Sequence, residues 1–167
     1  MIKKVIFVTC VLATALQINA AFAQVKDQTF KDWTVYSTDL EGKKVCYIAS
    51  FPGDKTGNYS VRDEPYLLVT HIDSATDEVS VSSGYAYKDN SKIKVTVDDD
   101  KTHYLSLLQG ERAWAKDASV DKALIADMRA KNEVEVKGIS TKGTYSLDRY
   151  SLAGFSAAYS RMKTLCK

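Results

Sequence analysis

The chain has 167 residues, 45% hydrophobic and 26% charged, with 23 basic and 21 acidic side chains. Two of the basic residues, Lys3 and Lys4, sit at the extreme N-terminus; without them 21 basic residues face 21 acidic ones, a balance that argues against nucleic acid as the main partner. The two histidines, His71 and His103, lie in no ligand-spaced motif and fall short of the ligand set of a catalytic zinc.

Residues 1–23 have the three parts of a secretory signal. Lys3 and Lys4 give the basic region, Val5 to Ile18 the apolar region, and Ala21-Phe22-Ala23 the small-x-small cleavage site. The apolar stretch is about 14 residues, short of the roughly 20 that a membrane-spanning helix needs. The expected mature chain begins at Gln24 and, at residues 24–167, has the length of one domain.

Gln24 to Lys31 is polar and reads as a loose lead-in. Trp33 to Thr38 alternates with period two, and Val45 to Phe51 follows after a turn containing Gly42, so the two form a predicted hairpin. Pro52 to Pro65 reads as one long loop, holding both prolines of the chain. Further strands are predicted at Tyr66–Ile72, Glu78–Tyr87, Lys92–Asp98 and Thr102–Leu108, with Arg112 to Ala115 a short extended piece. A helix follows, with Ser119 as its expected N-cap and Val120, Ala123, Leu124 and Met128 on its buried face. Glu133–Ile139 and Thr144–Tyr150 make a second hairpin. The last stretch is helical, with Ser151 as its expected cap and an apolar stripe of Phe155, Ala158, Tyr159, Met162, Leu165 and Cys166. Many short strands with two late helices predict a mainly β fold, an antiparallel two-sheet β-sandwich with a C-terminal helix.

Cys46 and Cys166 are the two cysteines beyond the leader. In an exported chain such a pair points to one disulfide.

Little in the sequence carries chemistry. There is no G-x-S-x-G elbow for a serine nucleophile. Asp98-Asp99-Asp100 is a carboxylate run without the spacing of a calcium loop and reads as a solvated turn. Asp54-Lys55-Thr56-Gly57 matches four residues of the phosphorylation motif of P-type pumps and reads as a coincidence within a loop. No catalytic residue, metal ligand or cofactor is indicated. The surplus is aromatic: ten tyrosines and two tryptophans, residue types that anchor partners by stacking while their polar tips stay wet. Tyr85, Tyr87, Arg112 and Trp114 are the candidate partner-binding residues.

Seven segments taken in order resemble one family: KDWTVY (Lys31 to Tyr36), KVCYIAS (Lys44 to Ser50), EPYLLV (Glu64 to Val69), EVSVSSGYAY (Glu78 to Tyr87), GERAWA (Gly110 to Ala115), VEVKGISTKGT (Val134 to Thr144) and YSLAGFSAA (Tyr150 to Ala158). Together they are similar to the invasion-associated locus B family of alphaproteobacteria. The resemblance implies an immunoglobulin-like β-sandwich, exported to the periplasm, held at the outer membrane or secreted, and linked in the founding members to host-cell entry. It brings no catalytic residues. Longer members have more cysteines in their middle portion than this chain.

Three functions follow as expectations. The first is a non-enzymatic binding module for a protein, a host surface or an envelope component. The second is a periplasmic hydrolase using carboxylates such as Asp63 and Glu64, and the third an inhibitor or chaperone-like accessory protein that offers a sheet edge to its client.

Overall fold

The computed structural model describes residues 24–73 and 76–167; the leader and its expected cleavage site lie outside the described residues. Eleven strands and two helices are present among them. The strands are β1 (Val25–Phe30), β2 (Trp33–Leu40), β3 (Lys43–Ser50), β4 (Asp54–Gly57), β5 (Tyr66–His71), β6 (Asp77–Ser82), β7 (Ile93–Val97), β8 (Lys101–Gln109), β9 (Arg112–Ala115), β10 (Glu133–Ile139) and β11 (Tyr145–Ser151). Helix α1 (Ala118–Ala130) separates β9 from β10, and α2 (Phe155–Leu165) closes the chain.

All pairings are antiparallel, in the order β1-β2-β3-β5-β6-β9-β8-β7-β10-β11-β4. This is the expected mainly β architecture, consistent with a β-sandwich whose strands join into one open, hydrogen-bonded sheet. The sheet wraps a continuous core drawn from strands along most of its width, including Val35, Ile48, Val69, Val81, Val95, Leu105 and Val136. Period-two alternation explains the strands: in β2, Trp33 and Val35 are fully buried while Thr34 and Tyr36 face outward.

Helix α2 packs on β2 and β3. Phe155, Ala158 and Met162, at spacings of three and four residues, are fully buried. Phe155 meets Trp33 edge-on, with ring centroids 4.8 Å apart, and the Trp33 indole donates to the Ser151 carbonyl at 2.9 Å. The Cys46–Cys166 disulfide ties the end of α2 to β3.

Several local readings change. Residues 24–31 are not a loose lead-in: β1 pairs along β2 from Val25↔Ser37 to Phe30↔Trp33. The long loop contains β4, which pairs with β11 at the far edge of the sheet. Both are exposed edge strands and lack the buried face that alternation reports. The N-cap of α1 is Asp117, whose carboxylate accepts from the Ser119 and Val120 amides; one carboxylate serves two orphan donors there. The N-cap of α2 is Gly154, at φ 90°. A Cβ at that position would lie 1.9 Å from the Phe30 carbonyl oxygen, so only glycine lets the chain turn into the helix so close to β1. Ser151 instead accepts from the Ala153 amide.

Candidate binding face

Five consecutive strands of the sheet, β2-β3-β5-β6-β9, turn one face away from the core. In an antiparallel sheet with one solvated face that register is normally polar. Here it carries Tyr36 on β2, Tyr47 on β3, Tyr66 and Leu68 on β5, and Trp114 on β9, all half-buried. The pairing aligns them in rows. Tyr36 lies opposite Tyr47, Tyr47 opposite Thr70, and Thr70 opposite Glu78. Ala49, Leu68, Ser80 and Trp114 form the next row.

The rows line a concave groove of about 510 Å³. Tyr36 and Tyr47 stack with centroids 5.3 Å apart and planes 17° from parallel. Arg112 donates from Nε to the Tyr66 hydroxyl at 2.9 Å, and its guanidinium lies over both the Tyr66 and the Trp114 rings. Burial, with the neighbouring Tyr36, pushes the Tyr47 phenol above its ordinary pKa despite the opposing Arg112 charge. The face therefore offers aromatic surface, one guanidinium and one carboxylate, Glu78. It has stacking planes and hydrogen-bonding groups, a set suited to binding. Beyond β9 the apolar surface continues to Leu107, which pairs with Trp114 and is 54% exposed.

The structure separates the four candidates named from the sequence. Arg112 and Trp114 share the groove. Tyr85 and Tyr87 pack away from it, against β10 and β11. Tyr87 is 3% exposed and donates to Ser83 Oγ at 2.8 Å, and Tyr85 shares a hydrogen bond of 2.8 Å with Ser146. A Cβ at Gly138 would fall 2.8 Å from the Tyr85 hydroxyl, so glycine admits both rings. Beside them Arg62 forms a bidentate pair with Asp148 and donates to the Ser83 carbonyl. This polar cluster fastens the loop after β4 to β11. Of the four candidates, Arg112 and Trp114 are thus together, while Tyr85 and Tyr87 serve this internal cluster. The missed members are Tyr36, Tyr47 and Tyr66. Their signal was available: each is an aromatic in the outward register of a strand whose alternate residues are core.

Asp63 and Glu64, the carboxylates weighed for hydrolysis, sit on the loop between β4 and β5, where Glu64 is held by Lys55 at 2.9 Å. His71 bonds Asp77 and His103 bonds Asp127, each at 2.7 Å. Asp98 accepts from the Asn132 and Glu133 amides and so secures the turn from α1 into β10. Edge strand β1 carries an irregularity between Lys26 and Gln28, and Asp27 there pairs with Arg161 of α2. A bulge and charged side chains discourage the addition of another strand. No described helix is long and apolar enough to cross a membrane.

Comparison with known proteins agrees with the fold. The crystal structure of invasion associated protein B from Bartonella henselae is similar over 84% of this chain and 97% of its own, with a TM-score of 0.61 and 17% identity. No curated protein matches the sequence. The sequence profile described as Invasion associated locus B (IalB) protein matches residues 33–163, from the first core tryptophan into the closing helix. Since that span covers most of the chain, this protein belongs to the invasion associated locus B (IalB) family.

Proposed function

We propose that this is an exported cell-envelope protein, with residues 24–167 as one domain, that binds a protein, host-surface or envelope component through the outward face of β2-β3-β5-β6-β9. The observation that carries the reading is the groove itself: Tyr36, Tyr47, Tyr66, Leu68 and Trp114 occupy a register that would otherwise be polar, with Arg112 stacked among them. Aromatic residues and arginine are the types that dominate binding energy at interfaces. The disulfide supports an oxidising compartment outside the cytoplasm, and the similarity to invasion associated protein B of Bartonella henselae supports a role at the cell exterior.

The test is binding of the purified, labelled protein to intact host cells and to isolated envelopes of the producing bacterium. Tyr47→Ala with Trp114→Ala is expected to weaken binding to one of these at least tenfold while the unfolding midpoint stays close to that of the parent. Equal binding by parent and variant would overturn the groove as the binding face. Export is tested separately, by the mass of the protein recovered outside the cytoplasm: a chain beginning at Gln24 is expected, and an unchanged mass refutes cleavage.

A further inference from the structure

A second concavity, of about 440 Å³, lies between α1 and α2 and shares no lining residue with the aromatic groove. Its size is within the range of small-molecule sites, which are often found between helices. Helix α1 lines it with Lys122, Ile125, Ala126 and Arg129, spaced so that all four share one face. Helix α2 contributes Tyr159 and Lys163, four residues apart.

The electrostatics are one-sided. Three cations, Lys122, Arg129 and Lys163, meet a single carboxylate, Asp77. That carboxylate is already engaged. It bonds His71 Nδ1 at 2.7 Å, accepts from the Tyr159 hydroxyl, and accepts from Lys163 Nζ at 3.1 and 3.2 Å. Asp77 therefore offsets Lys163 and leaves Lys122 and Arg129, neither of which has an ion pair among the described residues. The nearby acids of α1 are turned elsewhere: Asp121 accepts from the Val79 amide and Asp127 bonds His103. Arg129 is also oriented, its guanidinium lying 5.5 Å from the centre of the Tyr159 ring. Between the two free cations the wall is apolar and low, made of Ile125 and Ala126.

We propose that this cleft binds a small organic anion, a phosphate or carboxylate carried on a compact apolar body. Lys122 and Arg129 take the charge, and Ile125 and Ala126 take the body. A guanidinium and an ammonium give an anion charge-assisted hydrogen bonds. The apolar wall between them gives a reason to prefer an organic anion over an inorganic one.

The probe is phenyl phosphate, followed by amide chemical shifts of the purified protein with its disulfide intact. Shifts are expected at 122–129 and 159–163, saturating with phenyl phosphate and at least tenfold weaker for inorganic phosphate. They are expected to weaken at least tenfold in Lys122→Gln with Arg129→Gln; both side chains are exposed, so the fold is not at stake. Trp114→Ala, in the other groove, is expected to leave them unchanged. Shifts that are absent, or that persist in the double variant, overturn the proposal. Vesicles of phosphatidylglycerol are expected not to sediment the protein. Sedimentation that the double variant abolishes would place the anion on a lipid and overturn the small-molecule assignment.

Discussion

Arg62 and Asp148 meet as a bidentate ion pair with side chains 4% and 0% exposed, joining the loop after β4 to strand β11. Burial works against the Arg62 charge, and the hydrogen bond and charge of Asp148 outweigh it, so the guanidinium is held protonated more firmly than usual. Removing one partner strands the other in the interior. Arg62→Ala is expected to destabilise the protein by about 3–5 kcal/mol. The double replacement Arg62→Met with Asp148→Leu is expected to cost distinctly less, because no buried charge is left alone. Denaturant unfolding of the three proteins measures the difference.

The Cys46–Cys166 bond closes a loop with a sequence separation of 120 and Cα atoms 5.9 Å apart. In the loop-entropy picture such a bond contributes about 4–5 kcal/mol, and measured values fall at or below this. Cys46→Ala with Cys166→Ala is expected to lower the unfolding midpoint and to remove the difference between oxidised and reduced samples. A midpoint equal to the parent's would show that helix packing alone holds the C-terminus.

Gly154 turns the chain from β11 into α2 at φ 90°, against the Phe30 carbonyl. Gly154→Ala introduces both a left-handed alanine and a clash with backbone, and is expected to cost more than about 1 kcal/mol. Gly143, at φ 82° with nothing near its absent Cβ, is the control: Gly143→Ala has only the conformational term and should cost less.

The Asp98 carboxylate accepts from the Asn132 amide first and the Glu133 amide second, and these bonds hold its pKa below the ordinary 3.8. Asp27 is lowered too, chiefly by its hydrogen bond from Arg161. For such groups the unfolded chain takes up protons before the folded one. Their contribution is therefore fully present above the unfolded value and is lost as pH falls through the folded value. Unfolding midpoints measured from neutral pH down past 3.8 are expected to drop, and to drop less steeply in Asp98→Asn. Parallel profiles would remove Asp98 from the acid response.

The sequence shows a strand clearly where one face is buried. In β2, β3, β5, β7 and β10, core residues alternate with outward ones, and the expected strands fall within a few residues of the observed ones. It hides a strand that is held only by its backbone: VKDQTF of β1 and DKTG of β4 bury almost no side chain, and their partners are β2 and β11. The aromatic face was half legible for a related reason. Arg112 and Trp114 stood out in a short run, but Tyr36, Tyr47 and Tyr66 lie far apart in sequence, and only the order β2-β3-β5 makes them neighbours. Tyr85 and Tyr87 look like surface aromatics until Gly138, Ser83 and Ser146 are seen to receive them.

The placement of β4 fixes when the protein can be finished. Residues 54–57 pair with residues 146–149, and Cys46 bonds to Cys166. A ribosome delivers the early segment long before its partners exist. Until residues 146–166 emerge, β4 has an unpaired edge, Cys46 has a free thiol, and Trp33 lacks the Phe155 ring that packs on it. No N-terminal fragment can therefore reach the final structure on its own. A chain cut short before α2 keeps an exposed core and an unpaired Cys46, and such incompletely folded species are open to proteolysis.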